Sequence, residues 1–543
     1  MNTPAIMNAH PMRIAPALMR RDWKPFYWSL AIVLLLVLQL WSGTDPAFAL
    51  LVALFCSLTY LAVKEAGGPA TTTGFCIVYL AVQNVLVSQV AKVILWDPAD
   101  HKLIHPLVTM GVYDCTLAGI YLAAVASRRL GTTRRRPLFA PITDPERLKW
   151  IAWVSTALFV AGSASLLKTS AEIGAGEHEY GGLSGIVAQF NLLGIAVASG
   201  TAYMITASRG RRSIGLVNAV SIGVVFFGGI LGASREGITS AVVLYFVTCF
   251  AFRFRFRFIH YAVLIGGMCF AQYILFPYAL YARGVIRTPD MQKNIQLASG
   301  VLLDVISDPV RYQTLLEKPG HDSQVTRVYL YYDKPRSTLD RFTLIKATDA
   351  LVDATLRDGT VGMDNITPGF LMPIPRSLYP DKPFFSVSNQ LAHREPGLVG
   401  KNDHSTGITT GFAGDAFSSY GWTGALVIPF LLMFGWFCLL RFLVRDSLWN
   451  NIFGLALVLQ IANNLSAAPL APLLAGLLAS PILYTFAFWA ILRLAGFATR
   501  TQEKILTARR QAAVRERSEV LAGRRHASGR RLLIAFGKDD RLP

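Results

Sequence analysis

From Phe26 to about Leu494 the chain is a succession of apolar runs of about 16–24 residues separated by short polar connections. A run of that length matches the ~20 helical residues needed to cross a ~30 Å hydrocarbon core. Twelve such runs are expected, near 26–41, 46–63, 74–95, 104–126, 150–167, 184–207, 214–232, 237–252, 259–279, 422–440, 452–470 and 473–494. The pattern breaks once, between Tyr281 and Gly421, where about 140 residues are polar on average. Inside that insert the pattern predicts a helix from Met291 to about Ile306. It predicts a second, amphipathic helix after Ser337-Thr338-Leu339-Asp340, a capping-box sequence. That helix runs to about Arg357, carries Leu339, Phe342, Ile345 and Leu356 on its apolar face, and stops at Asp358-Gly359. The run 373–383 holds four prolines, which remove donors and restrict the residues before them, so it is expected as an extended strap rather than a helix.

Composition and charge give this pattern a class and an orientation. Of the 543 residues, 53% are hydrophobic and 16% charged, against ~25% charged in soluble domains. The fold class expected is all-α: a polytopic integral membrane protein of about 12 transmembrane helices with one large, mainly helical extracytoplasmic loop. Lys and Arg favour the cytoplasmic side. Arg128, Arg129, Arg134–Arg136, Arg209, Arg211, Arg212, Arg253, Arg255 and Arg257 all fall on one side if the N-terminus is placed inside. The insert falls on the other side, with fifteen basic and fifteen acidic residues. The segments are then a cytoplasmic N-terminus (1–25), helices 1–9 (26–279), the outer loop (280–421), helices 10–12 (422–494) and a basic cytoplasmic tail (495–543). Both termini are expected inside, and the first apolar run is expected to stay as a span rather than be cleaved as a leader. The net charge of +19 is scattered over seven cytoplasmic segments instead of forming one stripe. It therefore points to anionic membrane lipids and not to nucleic acid. The six cysteines all lie in expected spans, none with metal-ligand spacing, and read as small buried apolar groups. No nucleotide, dinucleotide or metalloprotease motif is present, and no metal or cofactor is expected.

The residues able to carry chemistry lie at the outer side. Arg235, in Gly232-Ala233-Ser234-Arg235-Glu236-Gly237, sits in a turn of small residues between two spans. A guanidinium there can fork onto a phosphate, or simply snorkel at a span end. Arg283 and Arg287 follow the ninth run, against the positive-inside bias, and could complete a diphosphate clamp or anchor the interface. Arg376 and Lys382 stand among prolines that pre-position them to meet leaving-group charge. His393, His404 and Asp415 are the candidates for a proton acceptor. Within the spans, Lys92 and Asp114 are rare intramembrane charges. Their other reading is a structural polar cluster with Gln83, Asn84 and Gln89.

Three stretches carry a family resemblance: Ala233-Ser234-Arg235-Glu236-Gly237, Pro375-Arg376-Ser377-Leu378-Tyr379-Pro380-Asp381-Lys382-Pro383, and Gly414-Asp415-Ala416-Phe417 leading to Tyr420-Gly421-Trp422-Thr423-Gly424. With the topology, they resemble bacterial O-antigen and exopolysaccharide polymerases of the Wzy type, within the O-antigen polymerase and ligase superfamily. Asp415 stands where that family has Glu. The resemblance implies a metal-independent glycosyltransferase in the bacterial inner membrane, acting at its periplasmic face. It would polymerise polyprenyl-diphosphate-linked oligosaccharide repeat units. Arg235 with Arg283 or Arg287 would hold the donor diphosphate, and Arg376 and Lys382 would stabilise it as it leaves. His404 or Asp415 would act on the acceptor hydroxyl, with His393 near the substrate. A chain-length regulator and a flippase of the same pathway are the implied protein partners. A ligase-type transferase is the alternative within the class, and a lipid-linked oligosaccharide flippase the alternative outside it.

Overall fold

The computed structural model describes residues 25–130, 137–173, 192–231, 235–285, 291–312, 331–332, 344–374, 378–379, 381, 410–444, 446–467 and 469–536. Every regular element among them is helical. In chain order these are α1 (Pro25–Trp41), α2 (Pro46–Glu65), α3 (Thr72–Ile94), α4 (Pro106–Leu130), α5 (Pro145–Ile173), α6 (Leu192–Ala207), α7 (Leu216–Leu231) and α8 (Arg235–Ala251). Helix α9 is built from Phe258–Phe270, a π-helical turn Ala271–Leu275 and Phe276–Val285. Then come α10 (Met291–Ser307), α11 (Leu344–Asp358), the single turn α12 (Thr367–Leu371), α13 (Gly411–Val444), α14 (Ile452–Ala467) and α15 (Leu470–Phe536).

Six stretches among the described residues are long and apolar enough to cross a membrane: Pro46–Glu65, Thr72–Ile94, Pro106–Leu130, Phe258–Ala279, Gly411–Val444 and Leu470–Gln502. Shorter apolar helices include Pro25–Trp41, Leu216–Leu231 and Ile452–Ala462. All twelve expected runs overlap helices. Their large apolar side chains also face outward in numbers that water would not tolerate as one patch: Leu30, Val33, Leu34 and Val37 on α1, and Phe258, Ile259, Val263, Ile265 and Met268 on α9. The protein is a helical membrane protein.

Local chemistry sets the helix starts. Asp45 caps α2, its Oδ1 accepting from the N–H groups of Ala47 at 2.9 Å and Phe48 at 3.1 Å, and Pro46 fills the first helical position, where no donor is needed. Thr71 caps α3 through the Gly74 N–H at 2.9 Å. Glycine lets α4 and α13 touch backbone to backbone: a Cβ on Gly119 would lie 2.3 Å from the Leu426 carbonyl oxygen.

Several contacts fix which helix ends lie together. Phe139 N–H donates to the Leu443 carbonyl at 2.8 Å, and Arg128 donates to the Glu65 carbonyl at 3.0 Å. Trp449, just after α13, meets Phe250 with ring centroids 5.5 Å apart and lies 4.9 Å from the Arg253 guanidinium. The C-terminal ends of α8 and α13 and the start of α5 therefore share one end of the bundle. The starts of α8 and α13 lie at the other end, called here the insert end.

Two boundaries differ from the sequence reading, and a third helix differs in its burial. Helix α13 begins at Gly411, eleven residues before the run expected at 422, and is broken at Tyr420 and Gly421, where Gly421 has φ +59°. Helix α15 does not stop at 494 but continues to Phe536, 67 residues in all, which is ~100 Å at 1.5 Å per residue. Helix α11 ends at Asp358 with Gly359 at φ +84°, as expected. It is not amphipathic in its setting, however. Eleven of its fifteen residues are buried, Lys346, Thr348 and Asp349 among them, and Leu356, expected on the apolar face, points outward. Helix α10 matches its predicted span to within a residue. The capping-box sequence 337–340 lies outside the described residues.

Candidate functional site at the insert end of the bundle

The insert does not hang from the bundle; α11 is built into it. At the start of α4, α11 supplies a carboxylate. Asp349 Oδ2 accepts from the Ile104 N–H at 2.6 Å, and its Oδ1 accepts from the His105 N–H and the Thr109 hydroxyl, each at 2.9 Å. A carboxylate at a helix N-terminus satisfies orphan donors and meets the positive end of the dipole. Lys346 lies 3.3 Å from the same carboxylate and donates to the Lys102 carbonyl. One turn further along α11, Asp353 Oδ1 meets His105 Nε2 at 2.9 Å, and Asp353 Oδ2 meets Arg357 at 3.3 Å.

The opposite face of α11 binds α13. Thr348 donates to the Thr410 carbonyl at 2.8 Å and bonds the Tyr113 hydroxyl at 2.8 Å. Thr410 in turn donates to Asp415 Oδ1 at 2.8 Å, and the Leu470 N–H donates to Asp415 Oδ2 at 2.8 Å. Asp415 thus lies in a polar chain from α4 through α11 to the start of α15. It is fully buried, with both carboxylate oxygens accepting. Sequence alone placed it a few residues outside a span, where it would be wet. Helix α12 packs on α15 through Gly369, where a Cβ would come 2.8 Å from the Ala471 carbonyl oxygen.

A second polar cluster lies at the same end. Lys92, fully buried, is ion-paired to Asp97 at 2.6 Å and lies 4.4 Å from the centroid of the Tyr331 ring. Asp97 also meets His101 at 3.3 Å. Gln39 donates to Gln89 at 2.9 Å, Gln89 donates to the Tyr331 hydroxyl at 3.2 Å, and Tyr331 donates to the Ala99 carbonyl. Burial pushes the Tyr331 phenol well above its ordinary range. Lys92 is therefore part of a structural cluster that includes Gln89, and its partner is Asp97. Asp114 stays apart, buried in α4 with both oxygens unpartnered among the described residues.

The remaining sequence candidates can be placed by backbone. Arg235 is the first residue of α8. Arg283 lies in the last turn of α9. An apolar cluster of Ile230, Ile238, Tyr278, Ala279, Ala282 and Ala298 joins these helix ends to α10, and the Tyr278 hydroxyl donates to the Ile230 carbonyl at 2.8 Å. Both arginine positions therefore belong to the insert end. Arg287, Arg376, Lys382, His393 and His404 lie outside the described residues. The described chain leaves α12 at Ile374, and the packing of α12 on the start of α15 puts that exit at the insert end as well.

The sequence reading missed Lys346, Asp349, Asp353 and His105. A signal existed in the 3- and 4-residue spacing of Lys346, Asp349, Asp353 and Arg357, which puts one charged row on a helix face. His105-Pro106 also marks a helix start. Among the described residues no three His, Cys, Asp or Glu side chains gather as a metal site. No family model, no curated protein and no solved structure matches the chain.

Proposed function

We propose that this protein is a multi-pass polysaccharide polymerase of the bacterial inner membrane, with twelve spans and both termini cytoplasmic. It joins polyprenyl-diphosphate-linked oligosaccharide repeat units at the outer face, without a metal. The growing glycan on one lipid is the donor, and a hydroxyl of a second lipid-linked unit is the acceptor. The observation that carries the reading is convergence: Arg235 and Arg283 stand on helix ends at the insert end of the bundle, where α12, which precedes Arg376 in the chain, also packs. Basic residues on the side where membrane proteins usually avoid them, around a polar insert locked onto the spans, suit a lipid diphosphate. Arg235 with Arg283 or Arg287 holds the donor diphosphate. Arg376 and Lys382 stabilise the charge that develops as it leaves. The burial of Asp415 and the two bonds to its carboxylate favour a histidine for the proton transfer.

The insert also weighs against a flippase, which needs charge along an internal path and has no use for a helix such as α11 docked at one end of the bundle. The test is the lipid-linked glycan profile of a strain lacking the chain, complemented with wild type or with Arg235→Ala. The reading expects single repeat units to accumulate in the deletion strain. It expects wild type to restore the ladder, and Arg235→Ala to fail while present at normal level in the membrane. Long lipid-linked polymer that is never transferred would make the protein a ligase, and units held in the cytoplasmic leaflet would make it a flippase.

A further inference from the structure

We propose that His105, oriented by Asp353, is the general base that takes the proton of the acceptor hydroxyl; this rests on the polymerase reading above. His105 is held at two points. Its backbone N–H donates to Asp349 Oδ1 at 2.9 Å, and its ring Nε2 lies 2.9 Å from Asp353 Oδ1. Asp353 is itself steadied through its other oxygen by Arg357 at 3.3 Å. A carboxylate can only accept, so Nε2 carries the hydrogen and Nδ1 of the neutral ring keeps its lone pair. Among the described residues no other group bonds the ring. The His105 side chain is 36% exposed and that of Asp353 23% exposed, so the pair is reachable from outside yet partly shielded. A base whose second nitrogen is fixed by a carboxylate is the arrangement that proton abstraction from a hydroxyl needs. The other described acid at this end that sequence nominated, Asp415, has both oxygens occupied and no exposure. His101 is more open, but its partner Asp97 is already committed to Lys92.

The step balances within the site. The acceptor hydroxyl oxygen forms a bond to the donor's anomeric carbon while its proton passes to His105 Nδ1. The bond from that carbon to the diphosphate breaks, and its electron pair leaves with the polyprenyl diphosphate. The imidazolium, paired with Asp353, then loses its proton to water.

The assay uses the purified full-length chain in lipid vesicles and, as probe, the lipid-linked repeat units extracted from the deletion strain. His105→Gln and His105→Ala are expected to lower kcat by about 10²–10⁴-fold, the range for general base catalysis, with KM within a few-fold of wild type. Added imidazole is expected to restore part of the rate of His105→Ala and none of that of His105→Gln, whose side chain fills the space. A docking contact alone would not respond to imidazole. If His105→Gln keeps the wild-type rate while Arg235→Ala is inactive, the inference is overturned and the polymerase reading stands. If His105→Ala loses activity and imidazole restores none, the ring is only a docking contact and the inference is again overturned. If the wild-type chain joins no repeat units, both fall together.

Discussion

Replacing Asp349 by alanine is the sharpest test of how the insert is held. In the structure this carboxylate accepts from two backbone N–H groups and one hydroxyl, and it neutralises Lys346, whose side chain is 6% exposed. Each orphaned donor would cost about 1–3 kcal/mol if it stayed dry. Removing one partner of a buried ion pair costs about 3–5 kcal/mol. These terms are not additive, because Ile104 is 48% exposed and water can reach its N–H once α11 lifts. Lys346 also keeps its bond to the Lys102 carbonyl. The expected loss is therefore about 3–5 kcal/mol in the docking of α11, the scale of the broken ion pair alone. Trypsin reports it directly, since cleavage at Lys346 requires α11 to leave the bundle. When reclosing is faster than cleavage, the cleavage rate follows the open population. It should rise roughly a hundred- to several-thousand-fold, at about 1.4 kcal/mol per tenfold. Asp364→Ala, at an exposed position in a 3₁₀ turn of the same segment, is the control and should change the rate little. A wild-type cleavage rate in Asp349→Ala would refute the idea that this acid anchors the insert.

Four further outcomes follow from the same geometry. Asp97→Ala leaves Lys92 charged and fully buried; it should destabilise the bundle by about 3–5 kcal/mol in detergent melts, and the Lys92→Met/Asp97→Ala double variant should recover much of that loss. Gly369→Ala forces a Cβ to 2.8 Å from the Ala471 carbonyl oxygen and 2.9 Å from Leu474 Cβ; a cost of about 1–3 kcal/mol should appear as faster proteolysis between α12 and α13. Gly421→Ala meets no atom within 4 Å, yet its φ of +59° with ψ −142° disfavours any side chain; about 1–3 kcal/mol of backbone strain should lower the melting temperature without altering the α11 cleavage rate. Tyr331→Phe removes the donor to the Ala99 carbonyl and the acceptor for Gln89. It should cost about 1–3 kcal/mol and, because burial holds this phenol unionised, remove no phenolate signal from an alkaline absorbance titration of the folded protein.

What could be read in the sequence, and what could not, divides along the range of the interactions. Hydrophobic runs are local, and α2 and α3 start and end close to where the runs predict, helped by Asp45 and Thr71, which cap their own helices; α10 also lies within a residue of its predicted span. The cap of α4 comes instead from Asp349, more than two hundred residues away, and nothing near Ile104 announces it. Burial misled for the same reason. Helix α11 carries Lys346, Thr348, Asp349, Asp353 and Arg357, a composition that predicts one wet face. Thr348 and Asp349 there are matched by groups outside α11: Thr109 and Tyr113 on α4, Thr410 before α13, and the backbone N–H groups just before α4. Asp415 followed the same course, since an acid beside a predicted span looks wet until the Leu470 N–H and Thr410 are found on its oxygens. The candidate site shows the reverse case. Arg235 stood out in the sequence because a cation next to small residues, on the side where the expected topology disfavours basic residues, needs a reason of its own. His105 did not, because a histidine before a span is ordinary until Asp353 is brought against its ring. The acids of α11 therefore serve in two ways. Asp349 holds the insert to the bundle, and Asp353, four residues along the same face, reaches the one imidazole that the same cap has pinned. A buried carboxylate that anchors α11 to the bundle therefore also sets the position of the next acid on that face, and with it the orientation of the His105 ring.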